Sequence, residues 1–198
     1  EKSKYFNHPA LYKENGFKKE ETAKHLIEQL SIDEPIEFKV AKVEKKIEKK
    51  APPMLYNLAE LQNDCSRLFK ISPSDTLKIV QELYEKKLLT YPRTDARVLS
   101  TAVAKEIYKN ISGLKKYAPL AGFADNIIAQ GGYKGITKSK YVNDKQITDH
   151  YAIIPTGQGF GALNSVSDTA KGVYDIVAKR FLSIFYPAAQ YEKVSLIL

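Results

Sequence analysis

Cysteine is almost missing from this chain. Cys65 is the only one, which excludes an intrachain disulfide and argues against a thiolate-based metal site. That usage fits a reducing, cytoplasmic setting. No apolar run approaches the roughly 18 residues a membrane-spanning helix needs, and no signal peptide opens the chain; no membrane partner is expected. The single methionine is Met54, well inside, and the first residue is Glu1, so the expectation is a segment excised from a longer polypeptide. Only three histidines occur, His8, His25 and His150, far apart, and no two aspartates are separated by one residue. Magnesium needs convergent carboxylates, and none is legible. No metal site is expected within these residues.

What is present is ordinary globular material: 198 residues, 43% hydrophobic and 27% charged. This suffices for one large domain, or one domain with part of another, and a core that needs no staples. The net charge of +8 and isoelectric point near 9.3 favour a polyanionic partner, because neutralised phosphates release counterions.

Residues 18–30 carry Ala23, Leu26, Ile27 and Leu30 at helical spacing, with Glu20 and Glu21 suited to an N-terminal dipole. Ile36, Phe38 and Val40 then alternate as in a strand, and the parity slips near Ala41, so that Val43 and Ile47 continue on odd positions; a bulge would explain it. Lys39, Lys42, Lys45, Lys46, Lys49 and Lys50 make this stretch basic. They suit a protected edge strand as well as they suit phosphate contact.

Ala51-Pro52-Pro53 marks a boundary. Asn57 with Glu60 resembles a capping pair, and Leu58, Leu61, Cys65 and Leu68 share one helical face. Ser72-Pro73 starts a second helix with Leu77, Val80, Leu83 and Tyr84 as its apolar stripe. This helix pair, running through Leu88-Leu89 into Tyr91, suggests a winged-helix-like unit. Further helices are expected at about 101–111, within 114–129 and at about 168–185, with a loop-rich stretch at 130–166 and a final strand at 186–198. The fold class expected is α+β: a mainly helical domain at 51–185 inserted into a small β arch of 35–50 and 186–198, with 1–34 as a helical lead-in.

The most informative stretch is Leu88-Leu89-Thr90-Tyr91-Pro92-Arg93-Thr94-Asp95. Pro92 keeps Tyr91 extended, and in an extended chain residues two apart share a face, so Tyr91 and Arg93 should point the same way. A phenol, with an ordinary pKa of about 10, is a poor nucleophile at neutral pH without help. A guanidinium alongside could favour the phenolate and grip a phosphate oxygen, with Thr94 and Asp95 orienting the arginine. The spacing alone decides nothing, since such pairs are mostly surface or packing residues.

The wider sequence says more. LLTYPRTDARVLS resembles the active-site segment of type IA DNA topoisomerases, especially the bacterial topoisomerase III branch. Ile147-Thr148-Asp149-His150-Tyr151-Ala152-Ile153-Ile154-Pro155-Thr156 resembles a second motif of that family, and APPMLYNLAELQ the start of its tyrosine-bearing domain. The three occur in the family's order. Ala96, Val98 and Tyr151 depart from it, standing where a serine, an aromatic and a second histidine are common.

The resemblance implies a strand-cleaving nucleophile at Tyr91, an arginine positioning the cleaved strand at Arg93, and an active-site histidine at His150. It implies DNA contacts at Thr94, Asp95 and Arg97. The expected partner is single-stranded DNA, cleaved through a 5′-phosphotyrosyl bond without ATP, by a chromosome-associated, cytoplasmic monomer. It also implies Mg²⁺, held in a preceding acidic domain outside these residues. The segment alone is therefore expected to bind DNA weakly and not to cleave it.

Gly131–Tyr141 alternates lysines and tyrosines. Lys134, Lys138 and Lys140 could meet phosphates while rings stack on bases, although a solvated loop reads equally well. Three other readings compete: a non-catalytic nucleic-acid-binding module in which Tyr91 stacks, an interaction domain basic by chance, and another tyrosine nucleophile such as a relaxase or recombinase. The scattered histidines and the motif order fit the last poorly.

Overall fold

The computed structural model describes residues 11–12, 16–17, 19–30 and 40–197. Two compact units divide the chain, one reaching Ile47 and resuming at Glu192, the other Glu48–Tyr191. In the first unit, β1 (Leu11–Tyr12) pairs antiparallel with β2 (Gly16–Phe17), and α1 spans Glu20–Leu30. The acidic first turn of α1 includes Glu20, which pairs with Lys24 at 2.9 Å. The expected strand residues 35–39 lie outside the described residues. From Lys42 to Lys50 the chain forms β3, which pairs with β4 (Ala189–Ile197). The Ala41 N–H donates to the Ile197 carbonyl and Lys45 pairs with Glu192, so the strands run in opposite directions. Both strands of this ribbon are exposed throughout.

The second unit is built on helices. The helix α2 (Leu58–Phe69) is capped by the Asn57 side chain, which accepts from the Glu60 N–H at 2.9 Å. α3 (Pro73–Glu85) is capped by Ser72, with proline in its first turn. Caps of this kind are each worth about 1 kcal/mol. Lys70, at φ 57°, ends α2 in the left-handed conformation.

The burial of the helix pair departs from the expected stripes at two places. Leu61 and Cys65 are buried, but Leu68 is 49% exposed and Phe69 turns inward instead, its ring against Gly172. Steps of four (61, 65, 69) follow the core-facing row here. Likewise Tyr84 is exposed beside buried Leu83, since neighbouring helical residues point about 100° apart.

The expected helix at 101–111 is two: α4 (Thr101–Glu106), capped by Ser100, and α5 (Tyr108–Leu114). No proline or glycine marks the break at Ile107. α6 (Ala121–Gln130) follows, and the glycine-rich stretch holds three short 3-10 turns at Ile136–Lys138, Asp144–Gln146 and Phe160–Ser165.

The long helix α7 (Asp168–Ser183), capped by Ser167, buries Ala170, Val173, Tyr174, Val177, Ala178, Phe181 and Leu182. That is a helical stripe repeated over nearly its full length, and it packs against α2 and α3. Each large apolar side chain so buried contributes about 1.5–3 kcal/mol. The α+β class therefore holds, with helices making the core and strands confined to small pairings.

Candidate active site

The segment after α3 is extended, and three stretches lie side by side where it passes. Ile153 donates its N–H to the Tyr56 carbonyl at 2.8 Å, while the Ile154 carbonyl accepts from the Thr90 N–H at 3.0 Å. Bridges at Tyr56–Ile153 and Leu89–Pro155, both antiparallel, complete this minimal sheet. It carries Tyr91 on one stretch and follows His150 on another.

Burial alternates from Tyr91 onwards. Tyr91, Arg93, Asp95 and Arg97 are partly or fully exposed, whereas Pro92, Thr94, Ala96 and Val98 are buried. This is the period of two expected of an extended chain half sunk in a core. It puts Tyr91 and Arg93 on one side.

His150 is exposed, and its ring centroid lies 4.3 Å from that of Tyr91, with the planes tilted by 40°. Tyr84, on α3, meets Tyr91 edge-on at 5.5 Å. Sequence reasoning had assigned Tyr84 to the core stripe and missed this contact. The signal was faint: Tyr84 lies about 100° round the helix from Leu83, at the margin of the stripe, and carries a polar hydroxyl.

Thr94 differs from its expected place among DNA-contacting residues. It is 7% exposed, and its hydroxyl donates to the His150 carbonyl at 2.7 Å and accepts from the Ala96 N–H at 3.1 Å. Nor does it hold the Arg93 guanidinium through these bonds; it ties together backbone. Thr90 does the same on the other side of Tyr91, donating to the Ala152 carbonyl at 3.2 Å and accepting from the Ile154 N–H at 2.9 Å.

Arg97 is turned towards α2, donating to Glu60 at 3.1 Å and to the Leu55 carbonyl at 3.2 Å. Glu60 thus serves Arg97, and only the Asn57 half of the expected reciprocal capping pair is made. The Asp95 carbonyl accepts from the Asn57 side chain at 3.1 Å.

Beyond His150 the chain is pinned to α5. Asn110 donates to the Pro155 carbonyl at 2.9 Å. Gly157, at φ +77°, passes so close that a Cβ on it would sit 2.8 Å from the Asn110 carbonyl oxygen. Only glycine fits that backbone conformation and that approach.

Lys134, Lys138 and Lys140 are exposed on the glycine-rich loop, but the tyrosines on either side of them are less available than expected. Tyr141 is 5% exposed, with its hydroxyl donating to the Pro52 carbonyl at 2.7 Å. Burial raises its pKa. Lys140 reaches the same carbonyl at 3.2 Å. Tyr133 is half-buried against Tyr108, their centroids 5.4 Å apart.

A second polar cluster joins the entry segment to two helices. Arg180 donates to the Met54 carbonyl, the Tyr56 hydroxyl and Asp64, each at 3.0 Å, and Tyr56 donates to Asp64 at 2.5 Å. Burial, with the bond to Asp64, pushes the Tyr56 phenol far above its usual range. Burial opposes ionisation of Asp64, but bonds from Tyr56 and Arg67 and the charges of Arg67 and Arg180 outweigh it, holding the carboxyl below its usual value.

Among the described residues no three His, Cys, Asp or Glu side chains converge as a metal site would require, and no helix is long and apolar enough to cross a membrane.

A family model described as DNA topoisomerase matches residues 1–198. DNA topoisomerase 3 of Bacillus subtilis is 40% identical over 161 residues, covering 80% of this chain and 21% of that protein. The enzyme of the same name from Bacillus anthracis is 38% identical over 160 residues, covering 79% and 21%. Full-length topoisomerase I from Thermotoga maritima has a similar structure, with a TM-score of 0.58 and 26% identity over 93% of this chain and 28% of that one. The chain thus spans about a fifth of the length of the curated relatives it matches. With the motif order, the matched family model and the shared fold in agreement, the chain belongs to the type IA DNA topoisomerases.

Proposed function

We propose that this chain supplies the nucleophile of an enzyme that cleaves and rejoins one DNA strand. The Tyr91 phenol oxygen bonds to a phosphorus of single-stranded DNA, the bond from that phosphorus to the 3′ oxygen breaks, and the phenol proton leaves. The released 3′ oxygen takes up a proton to become a hydroxyl. Another strand passes through the gap, and the 3′ hydroxyl then reverses the reaction. One phosphoester replaces another, so the chemistry needs no ATP.

The observation that carries this reading is the approach of the Tyr91 and His150 rings to 4.3 Å on a solvent-facing side that Arg93 shares. In this reading His150 bonds the phenol or the scissile phosphate, and Arg93 grips a phosphate oxygen. Asp95, Arg97 and the lysines at 134, 138 and 140 guide the strand. Residues 51–185 form the tyrosine-bearing domain and the strands at 35–50 and 186–198 belong to an arch.

The family uses Mg²⁺, and among the described residues no cluster of carboxylates converges to fit it. The 198-residue chain alone binds single strands weakly and does not cleave them, because the charge developing on the departing oxygen needs a stabiliser such as the family's Mg²⁺, for which no site is formed among the described residues. The whole enzyme acts as a chromosome-associated, cytoplasmic monomer.

The test uses the full-length gene product with Mg²⁺ and single-stranded DNA labelled at the 5′ end in one tube and the 3′ end in another. The 3′ label should travel with wild-type protein on a denaturing gel and be lost with Tyr91→Phe. Tight binding with no covalent species from either label would make the chain a binding module whose tyrosine stacks.

A further inference from the structure

We infer that Thr94 is a positioning residue for the Tyr91–His150 pair: its buried hydroxyl fixes the His150 backbone and so sets the imidazole against the phenol. The effect on rate rests on Tyr91 being the nucleophile; the geometric part does not.

Apart from tyrosines and Cys65, Thr94 and Thr76 are the only buried polar side chains among the described residues. A hydroxyl has one proton to donate, and Thr94 gives it to the His150 carbonyl at 2.7 Å. An acceptor site on the same oxygen takes the Ala96 N–H at 3.1 Å. The Thr94 backbone is itself anchored, its carbonyl accepting from the N–H of Leu58 at the start of α2 at 3.1 Å. The hydroxyl therefore acts from a fixed point.

His150 has little else to steady it from outside. Its side chain is exposed, and it follows a bend at Thr148 and Asp149. On the inner side the next backbone tie is the Ala152 N–H to the Val98 carbonyl at 3.0 Å. Thr90 already holds the Ala152 carbonyl. The two threonines thus flank Tyr91 on one stretch and grip the carbonyls of residues 150 and 152 on the other. Of the two grips, only that of Thr94 falls on the histidine.

Thr94→Val keeps the shape and removes the hydroxyl; Thr94→Ser keeps the hydroxyl and removes the methyl. In the 198-residue chain, nuclear magnetic resonance of the imidazole groups can follow His150 directly, since there are only three histidines. The His150 signals should move in Thr94→Val and stay in place in Thr94→Ser, while methyl signals of core residues such as Leu61 and Val177 remain unchanged. Thr94→Ala, which also lacks the hydroxyl, must shift His150 in the same direction. Superimposable His150 signals in both hydroxyl-free variants overturn the inference.

The kinetic arm uses the full-length gene product and a 3′-labelled single strand under single-turnover conditions. Thr94→Val should slow formation of the covalent adduct about tenfold, the scale of one lost hydrogen bond, and Thr94→Ser should restore most of the rate. In a His150→Gln background Thr94→Val should cost nothing further, as expected of residues acting through one another. The same loss in both backgrounds overturns the inference. Retention of the adduct by Tyr91→Phe would instead sink the nucleophile assignment, and the imidazole signals would still decide the placement of His150.

Discussion

The rings of Tyr91 and His150 lie with their centroids 4.3 Å apart, and Tyr84 closes on Tyr91 from another side at 5.5 Å, at 85° to its plane. The tyrosine thus has an imidazole on one side and a second phenol ring, met edge-on, on another.

Tyr84 should matter through its ring and not its hydroxyl. An edge-to-face pair is worth about 0.5–1.5 kcal/mol, so Tyr84→Ala should slow adduct formation by about two- to tenfold through a less restrained Tyr91. Tyr84→Phe should match wild type. Single-turnover cleavage of one labelled strand measures both; a rate lost in the phenylalanine variant would show that the hydroxyl takes part.

The loop lysines should differ among themselves. All three are exposed, but Lys140 donates to the Pro52 carbonyl and sits 5.0 Å from the Tyr141 ring centroid, a tie that the ammonium groups of Lys134 and Lys138 lack among the described residues. Each phosphate contact on a single strand contributes about 0.7 to the slope of log affinity against log salt. Lys134→Ala/Lys138→Ala should lower that slope by about 1.4, and Lys140→Ala by less. Salt titration of single-strand binding tests this, and an unchanged slope in the double variant removes the loop from the DNA path.

The cluster of Tyr56, Asp64 and Arg180 should narrow the pH range of stability from both ends. Asp64 has a depressed pKa in the fold, so the unfolded chain binds its proton first as pH falls. Its contribution is complete above the ordinary carboxylate range of about 4 and is lost as pH drops through the folded value. Tyr56 is raised, so its contribution holds below the ordinary phenol value of about 10 and declines as pH rises past it. Urea unfolding across pH should show both limbs in the wild type. Asp64→Asn should flatten the acid limb; an acid limb of unchanged steepness would contradict the assignment.

Much of this was legible in the sequence, and the reasons are local. The Asn57 and Ser72 caps mark their helices because short polar side chains satisfy free N–H groups at a helix start. The joint exposure of Tyr91 and Arg93 follows from the period of an extended chain. Less legible were the features set by tertiary approach. Nothing near residue 94 announces that its hydroxyl would reach His150, nor near Leu68 that Phe69 would take the core position. Tyr141 looked like a base-stacking residue because its burial depends on Pro52, far away in the chain. The family motifs placed Tyr91 and His150 in one site; spacing by itself could not.

The alternation along 91–98 has a further consequence, for how this segment can change in evolution. Outward positions carry the tyrosine and the charged side chains, and inward ones carry Pro92, Thr94, Ala96 and Val98. Deleting or inserting one residue here would exchange the two sets, sending a guanidinium into the core and an apolar side chain to the solvent. Point substitutions can be sampled one at a time, but the length of this stretch is locked. Loss of one codon would disturb the outward row of polar side chains and the inward packing together.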